Sequence, residues 1–213
     1  VQDVFDLQDQ ITERVVAVVE PSVQRHEIER ARRKRPESLD AYDLFLRAVP
    51  FTASQSAEEG RIAIGYLERA LEIEPDYAAA HALAAWCYEW CYSRAGFDPA
   101  NKEAALNHAR AALAGSTDDA GALAVAGWVV TMLSADHSAG LGAIERALAA
   151  NPSCATALYL AAAANAFSGR PVQAREYATR ALRLSPFDLL VSVGRTAQGI
   201  AAVQEGAYEE AAG

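Results

Sequence analysis

The side chains with the chemistry to hold a soft metal are three cysteines and four histidines in a chain of 213 residues. Cys87 and Cys91 stand four apart, which puts both thiols on one helical face, and His81 lies six positions earlier. Six residues at about 100° each turn His81 roughly 120° from the Cys87 direction, so the three do not converge from a single helix. Buried thiols acting as small apolar side chains are the expectation here. Cys154 is distant, no CxxC pair occurs, and an odd cysteine count argues against a disulfide framework, pointing instead to a reducing cytoplasm. His26, His108 and His137 each stand alone, with no cysteine or carboxylate at helical ligand spacing that outdoes a surface or satisfied core role. Neither a metal nor a cofactor is expected.

Catalytic patterns are equally sparse. No GxxxxGK loop occurs, and Gly194 and Gly199 lie in a helical context with no strand before them. The acidic pairs Glu58 with Glu59 and Glu209 with Glu210 are adjacent and so point to different sides of a helix. With no nucleophile, acid or base singled out, the segment is not expected to be an enzyme.

Composition then says which elements carry these residues. Alanine accounts for 48 positions, aromatics for only 8%, a balance that fits β-structure poorly and sets the fold class as all-α. No apolar run approaches the length of a bilayer span. The chain opens on Val1 without a signal-peptide pattern, and a piece of a longer protein is expected. Net charge is −9; residues 1–36 hold seven basic against seven acidic side chains, so the deficit belongs to the remainder, which repels nucleic acid. Arg30, Arg32, Arg33, Lys34 and Arg35 crowd before Pro36, where a helix dipole favours cations, and that reading is preferred to a phosphate-binding patch.

Val4, Leu7, Ile11, Val15 and Val18 recur at three and four and form the stripe of an amphipathic helix, which Pro21 kinks or interrupts. Residues 1–36 are therefore a connector with a basic end. From 37 on, the chain repeats itself. Glu68-Arg69-Ala70-Leu71-Glu72-Ile73-Glu74-Pro75 is echoed by Glu145-Arg146-Ala147-Leu148-Ala149-Ala150-Asn151-Pro152 and by Thr179-Arg180-Ala181-Leu182-Arg183-Leu184-Ser185-Pro186. Ala109 to Ser116 keeps the pattern without the proline.

The 34-residue step from Pro152 to Pro186 resembles the tetratricopeptide repeat, a helix-turn-helix unit closed by small residues and a proline. Ala174, Ala178, Ala181 and Pro186 carry the likeness in one unit, and Ala63, Leu67, Ala70 and Pro75 in another. The resemblance implies a right-handed α-solenoid of about five helix pairs, in units near 37–75, 76–116, 117–152, 153–186 and an incomplete 187–213. Turns lengthened at Pro50 to Ala57 and at Ser93 to Asn101 are expected departures. A narrower likeness spans Val4 to Thr12, Glu29 to Lys34 and Ser38 to Ala48, which resembles the junction of bacterial signalling proteins in which a class III adenylate or guanylate cyclase domain, or a winged-helix domain, precedes a TolB-like segment and a tetratricopeptide array. No cyclase motif lies in the chain itself.

In such an array the first helix of each pair lines the inner face and grips an extended peptide or a helix. Counting from the small residues places Leu83, Trp86, Glu89 and Trp90 there in the second unit, Val125, Trp128 and Met132 in the third, and Tyr159, Leu160 and Phe167 in the fourth. Large amphipathic rings are frequent anchors, and Trp90 on an exposed face would tolerate a polar replacement. The expected partner is a protein or peptide, with the chain's own N-terminal stripe or a second copy as occupants and no nucleic acid. The expected role is an interaction module of a bacterial adenylate cyclase. A regulatory region of a winged-helix regulator, and a metal or small-molecule sensor built on Trp86, Trp90 and Cys91, are the alternatives.

Overall fold

The computed structural model describes residues 27–28, 40–115 and 119–207. The stripe from Val4 to Val18, the basic cluster before Pro36 and the final Tyr208 to Gly213 lie outside the described residues. Within them, the helices of eight residues or more are α1 (Ala41–Ala48), α2 (Ala57–Ile73), α3 (Ala78–Arg94), α4 (Pro99–Gly115), α5 (Ala120–Leu133), α6 (His137–Ala150), α7 (Ala155–Phe167), α8 (Pro171–Leu184) and α9 (Val191–Gln204). A 3-10 turn, Val49–Thr52, follows α1, and the described residues contain no strand. None of these helices is long and apolar enough to cross a membrane.

Local chemistry sets the helix ends. Asp40 and Asp43 form a reciprocal capping box at α1, and Ser56, Asp119 and Asp136 each accept a backbone N–H three residues on at the starts of α2, α5 and α6. Pro75, Pro152 and Pro186 each fall two residues beyond the last residue of α2, α6 and α8, where a missing N–H and a fixed φ stop the helix. The lengthened turn expected at Ser93 to Asn101 is largely helix instead. Both α3 and α4 run 17 residues, because Ser93 and Arg94 continue α3 and Pro99 opens α4 behind the Asp98 carboxylate, which accepts from Ala100 N at 3.0 Å.

The array is an all-α, tetratricopeptide-like solenoid. Helices α3, α5, α7 and α9 pack successively on one another, while α2, α4, α6 and α8 each wedge between the first helices before and after them. Second helices are accordingly amphipathic, with one stripe buried: Ala63, Leu67 and Ala70 on α2, Ala105, Ala109 and Ala112 on α4, and Ala174, Ala178 and Ala181 on α8 are fully covered. First helices are covered on most sides, and on α7 every residue from Ala157 to Ala166 is buried.

Such close packing depends on residues without bulk. Where α5 crosses α6, a Cβ on Gly127 would lie 2.8 Å from Gly140 O, and one on Gly140 would lie 2.6 Å from Gly127 O. Thr131 completes the crossing, its hydroxyl donating to Gly127 O at 2.9 Å. Gly142, two residues along α6, meets nothing within 4 Å. Gly140→Ala should therefore destabilise the chain by about 1–3 kcal/mol through overpacking, while Gly142→Ala should stabilise it by about 0.5–1 kcal/mol by removing a mid-helix glycine. Denaturant unfolding of the two variants beside the parent checks both signs.

Candidate partner-binding face

The burial of first helices decides which of the expected contact residues have any surface left. Trp90, Tyr159 and Leu160, expected on the inner face, are no more than 1% exposed and sit in the core. The reason is geometric: α3, α5 and α7 each touch two second helices and a neighbouring first helix, so only a narrow strip of them stays open. Trp90 packs against Trp86, ring centres 5.2 Å apart, and Arg94 lies over its ring at 5.9 Å. Tyr159 is a pin between elements: its hydroxyl donates to Ser185 O at 2.7 Å, and its ring occupies the space a Cβ on Gly194 would need. Burial, then the charge of Asp188, pushes that phenol up to about 12.

Trp86, Glu89 and Val125 are also nearly covered. Burial raises the Glu89 carboxyl above its usual range, against the opposing pull of Ser93 and Arg94. Leu83 and Trp128 are half-buried. Only Met132, at 37%, and Phe167, at 56%, stand clearly in solvent among the ten.

Those two residues have a third companion that counting from the small-residue landmarks missed. Met132, Phe167 and Val203 are each the thirteenth residue of α5, α7 and α9, and Val203 is 51% exposed. All three lie near the C-terminal ends of first helices that pack on one another. Trp128 lies one turn before Met132, with its ring centre 6.0 Å from that of Phe167 and its body against Leu141, Ile144, Ala161 and Ala164. A half-buried indole thus lies beside the exposed Phe167 ring. Comparing residues by position within each helix, rather than by counting from the small-residue landmarks, finds Val203.

The histidines, unlike the cysteines, depart from their sequence pattern. Cys87 and Cys91 are buried, and burial pushes both thiols up; Cys91 Sγ–H donates to Ala57 O at 3.6 Å. His81 turns away from them. His108, isolated in sequence, is brought against His81 across α3 and α4, with the two Nδ1 atoms 2.8 Å apart. Residues 27 apart on different helices leave no local spacing signal.

No family model matches the chain. A curated relative from Rhizobium meliloti (strain 1021), named "Putative adenylate cyclase 3", is 35% identical over 85 residues, covering 38% of this chain. The match spans 14% of that relative's own length. Among solved structures, MamA aligns over 73% of this chain and 84% of its own at 20% identity, with a TM-score of 0.49. YrrB, described as a TPR protein with an unusual peptide-binding site, aligns over 81% of each chain at 18% identity, with a TM-score of 0.47.

The placement of the aromatics separates two variants cleanly. Trp90→Ala should cost about 3–5 kcal/mol, as truncation of a buried ring does, whereas Phe167→Ala should change stability by only about 0.5 kcal/mol. Chemical denaturation of both, followed by circular dichroism, reads the difference.

Proposed function

We propose that this chain is a non-catalytic protein-interaction module, and that it serves as a regulatory segment of a cytoplasmic bacterial protein resembling an adenylate cyclase. The observation that carries the first part is the exposure of Met132, Phe167 and Val203 near the ends of successive first helices, with Trp128 beside Phe167. Exposed apolar side chains at the ends of successive helices suit the spaced anchors of an amphipathic helix better than the ladder of a β-strand. The local 35% identity with a relative named as an adenylate cyclase supports the second part. An acidic body disfavours nucleic acid as a partner.

The occupant we assign is an apolar helix, and the stripe Val4, Leu7, Ile11, Val15 and Val18 of this chain, in cis or from a second copy, has the required spacing. A leucine or isoleucine seated on this face covers Trp128 while leaving the core tryptophans as they are. In the full chain, Leu7→Asp combined with Ile11→Asp should raise acrylamide quenching of tryptophan fluorescence, because Trp128 is the half-exposed indole and Trp86 and Trp90 are buried. The same change introduced together with Trp128→Phe should leave quenching flat. Quenching that does not respond to the stripe would contradict its occupation of this face.

A further inference from the structure

The neighbours of His81 on α3 and His108 on α4 fix how many hydrogens the two rings must carry. Their Nδ1 atoms are 2.8 Å apart, a distance at which one ring donates to the other. His81 Nε2 lies 2.8 Å from Pro75 O, and His108 Nε2 lies 3.3 Å from Glu68 Oε1. A carbonyl and an ionised carboxylate only accept, so each Nε2 carries a hydrogen. Three contacts thus need three hydrogens, and two neutral imidazoles supply one each. Any arrangement of only two sets lone pair against lone pair at one contact. Turning either ring over would put carbon where a nitrogen now meets its partner.

We propose that His81 and His108 form a proton-dependent clasp: the folded pair holds one proton more than two neutral rings, shared between the Nδ1 atoms, and loosens when that proton is lost or another is added. Glu68 supplies the balancing charge. Its Oε1 also accepts from the Tyr88 hydroxyl at 3.1 Å, and the Tyr88 ring stacks on His108 with 14° between planes. Burial, the largest influence, disfavours the charged form of His108, and the charge of His81 acts the same way against the pull of Glu68. The extra charge accordingly rests on His81, which donates to His108 Nδ1 and to Pro75 O, while neutral His108 donates to Glu68.

The groups facing the pair are therefore Glu68 from α2 and Tyr88 from α3. Arg61, Arg69 and Glu72 of α2 are exposed, as are Glu103 and Arg110 of α4, and Lys102 lies over the Tyr92 ring. Helix α5, which packs on both α3 and α4, carries no ionisable side chain from Ala120 to Leu133. The clasp joins α2, α3, α4 and the turn at Pro75, so its proton content sets how firmly the first two helix pairs hold together.

Imidazoles of the unfolded chain titrate near pH 6.5, at about the value of free histidine. The folded pair binds its first proton more tightly than they do, so the stability from that proton is complete below about pH 6.5 and is lost as pH rises. A second proton is bound less tightly, because it would fall on buried His108, so stability is also lost as pH drops through that second step. The array is then most stable near about pH 6.5.

The test is urea unfolding of the full chain, read by circular dichroism at intervals between about pH 5 and 8, either side of the histidine value. The parent midpoint should peak near about pH 6.5 and fall on both sides. His81→Gln should lose the alkaline fall and keep the acid one, which belongs to buried His108. Glu68→Gln, which removes the balancing charge, should move the alkaline fall to lower pH. An alkaline fall in His81→Gln as large as in the parent would overturn the proposal. Should His81→Gln fail to fold, nitrogen-15 NMR of the parent's imidazoles at neutral pH decides instead: His81 should be protonated on both nitrogens and His108 on Nε2 alone, whereas two neutral rings would contradict the clasp.

Discussion

Backbone-level contact between paired helices is the constraint on which the rest of this structure depends. Gly127 and Gly140 bring α5 and α6 together so closely that neither position has room for a methyl group. Ala174, Ala178 and Ala181 act the same way on α8, buried without a protruding side chain to hold their neighbours off. An alanine-rich chain gains little per buried side chain, so its stabilisation comes from many close dispersion contacts, which fall off steeply with small gaps. Thus one extra carbon at a crossing matters more here than the loss of an exposed ring.

The same closeness determines which large residues keep an exposed surface. Because second helices wedge between first helices, the first row is covered almost everywhere, and its large residues become core. Trp90 and Tyr159 lock the spacing of helices from within, the latter by bonding the turn after α8. What stays open is the strip at the C-terminal ends, where Met132, Phe167 and Val203 repeat with the helices. Exposure and packing are thus divided along these first helices by position rather than by residue type.

Much of this is legible in the sequence, and the failures have a common cause. Pro75, Pro152 and Pro186 mark three helix ends, and the small residues of α2 and α8 mark buried stripes, because these signals act within one helical turn. Periodicity on a single helix places Trp90 on the same face as Leu83, but it cannot tell how many neighbours surround that face. Nor can it see that His81 and His108, on different helices, end up with their rings in contact. Both depend on inter-helix geometry, which composition and spacing do not encode. The extra residues of α3 and α4 look like loop in the sequence because Gly96 and Pro99 are strong turn signals, whereas only Ala95 to Asp98 forms the turn.

Native-state hydrogen exchange tests most directly whether small-residue crossings hold the array together. If they do, amides around Gly127, Gly140, Ala162 and Ala174, at the α5–α6 and α7–α8 crossings, should exchange slowest, through the largest opening of the chain, with α9 opening earlier. If the bulky side chains were instead the main tie, protection would peak around Trp86 and Trp90 on α3, and the glycine crossings would exchange as fast as α9. That second pattern would contradict the primacy of backbone contact.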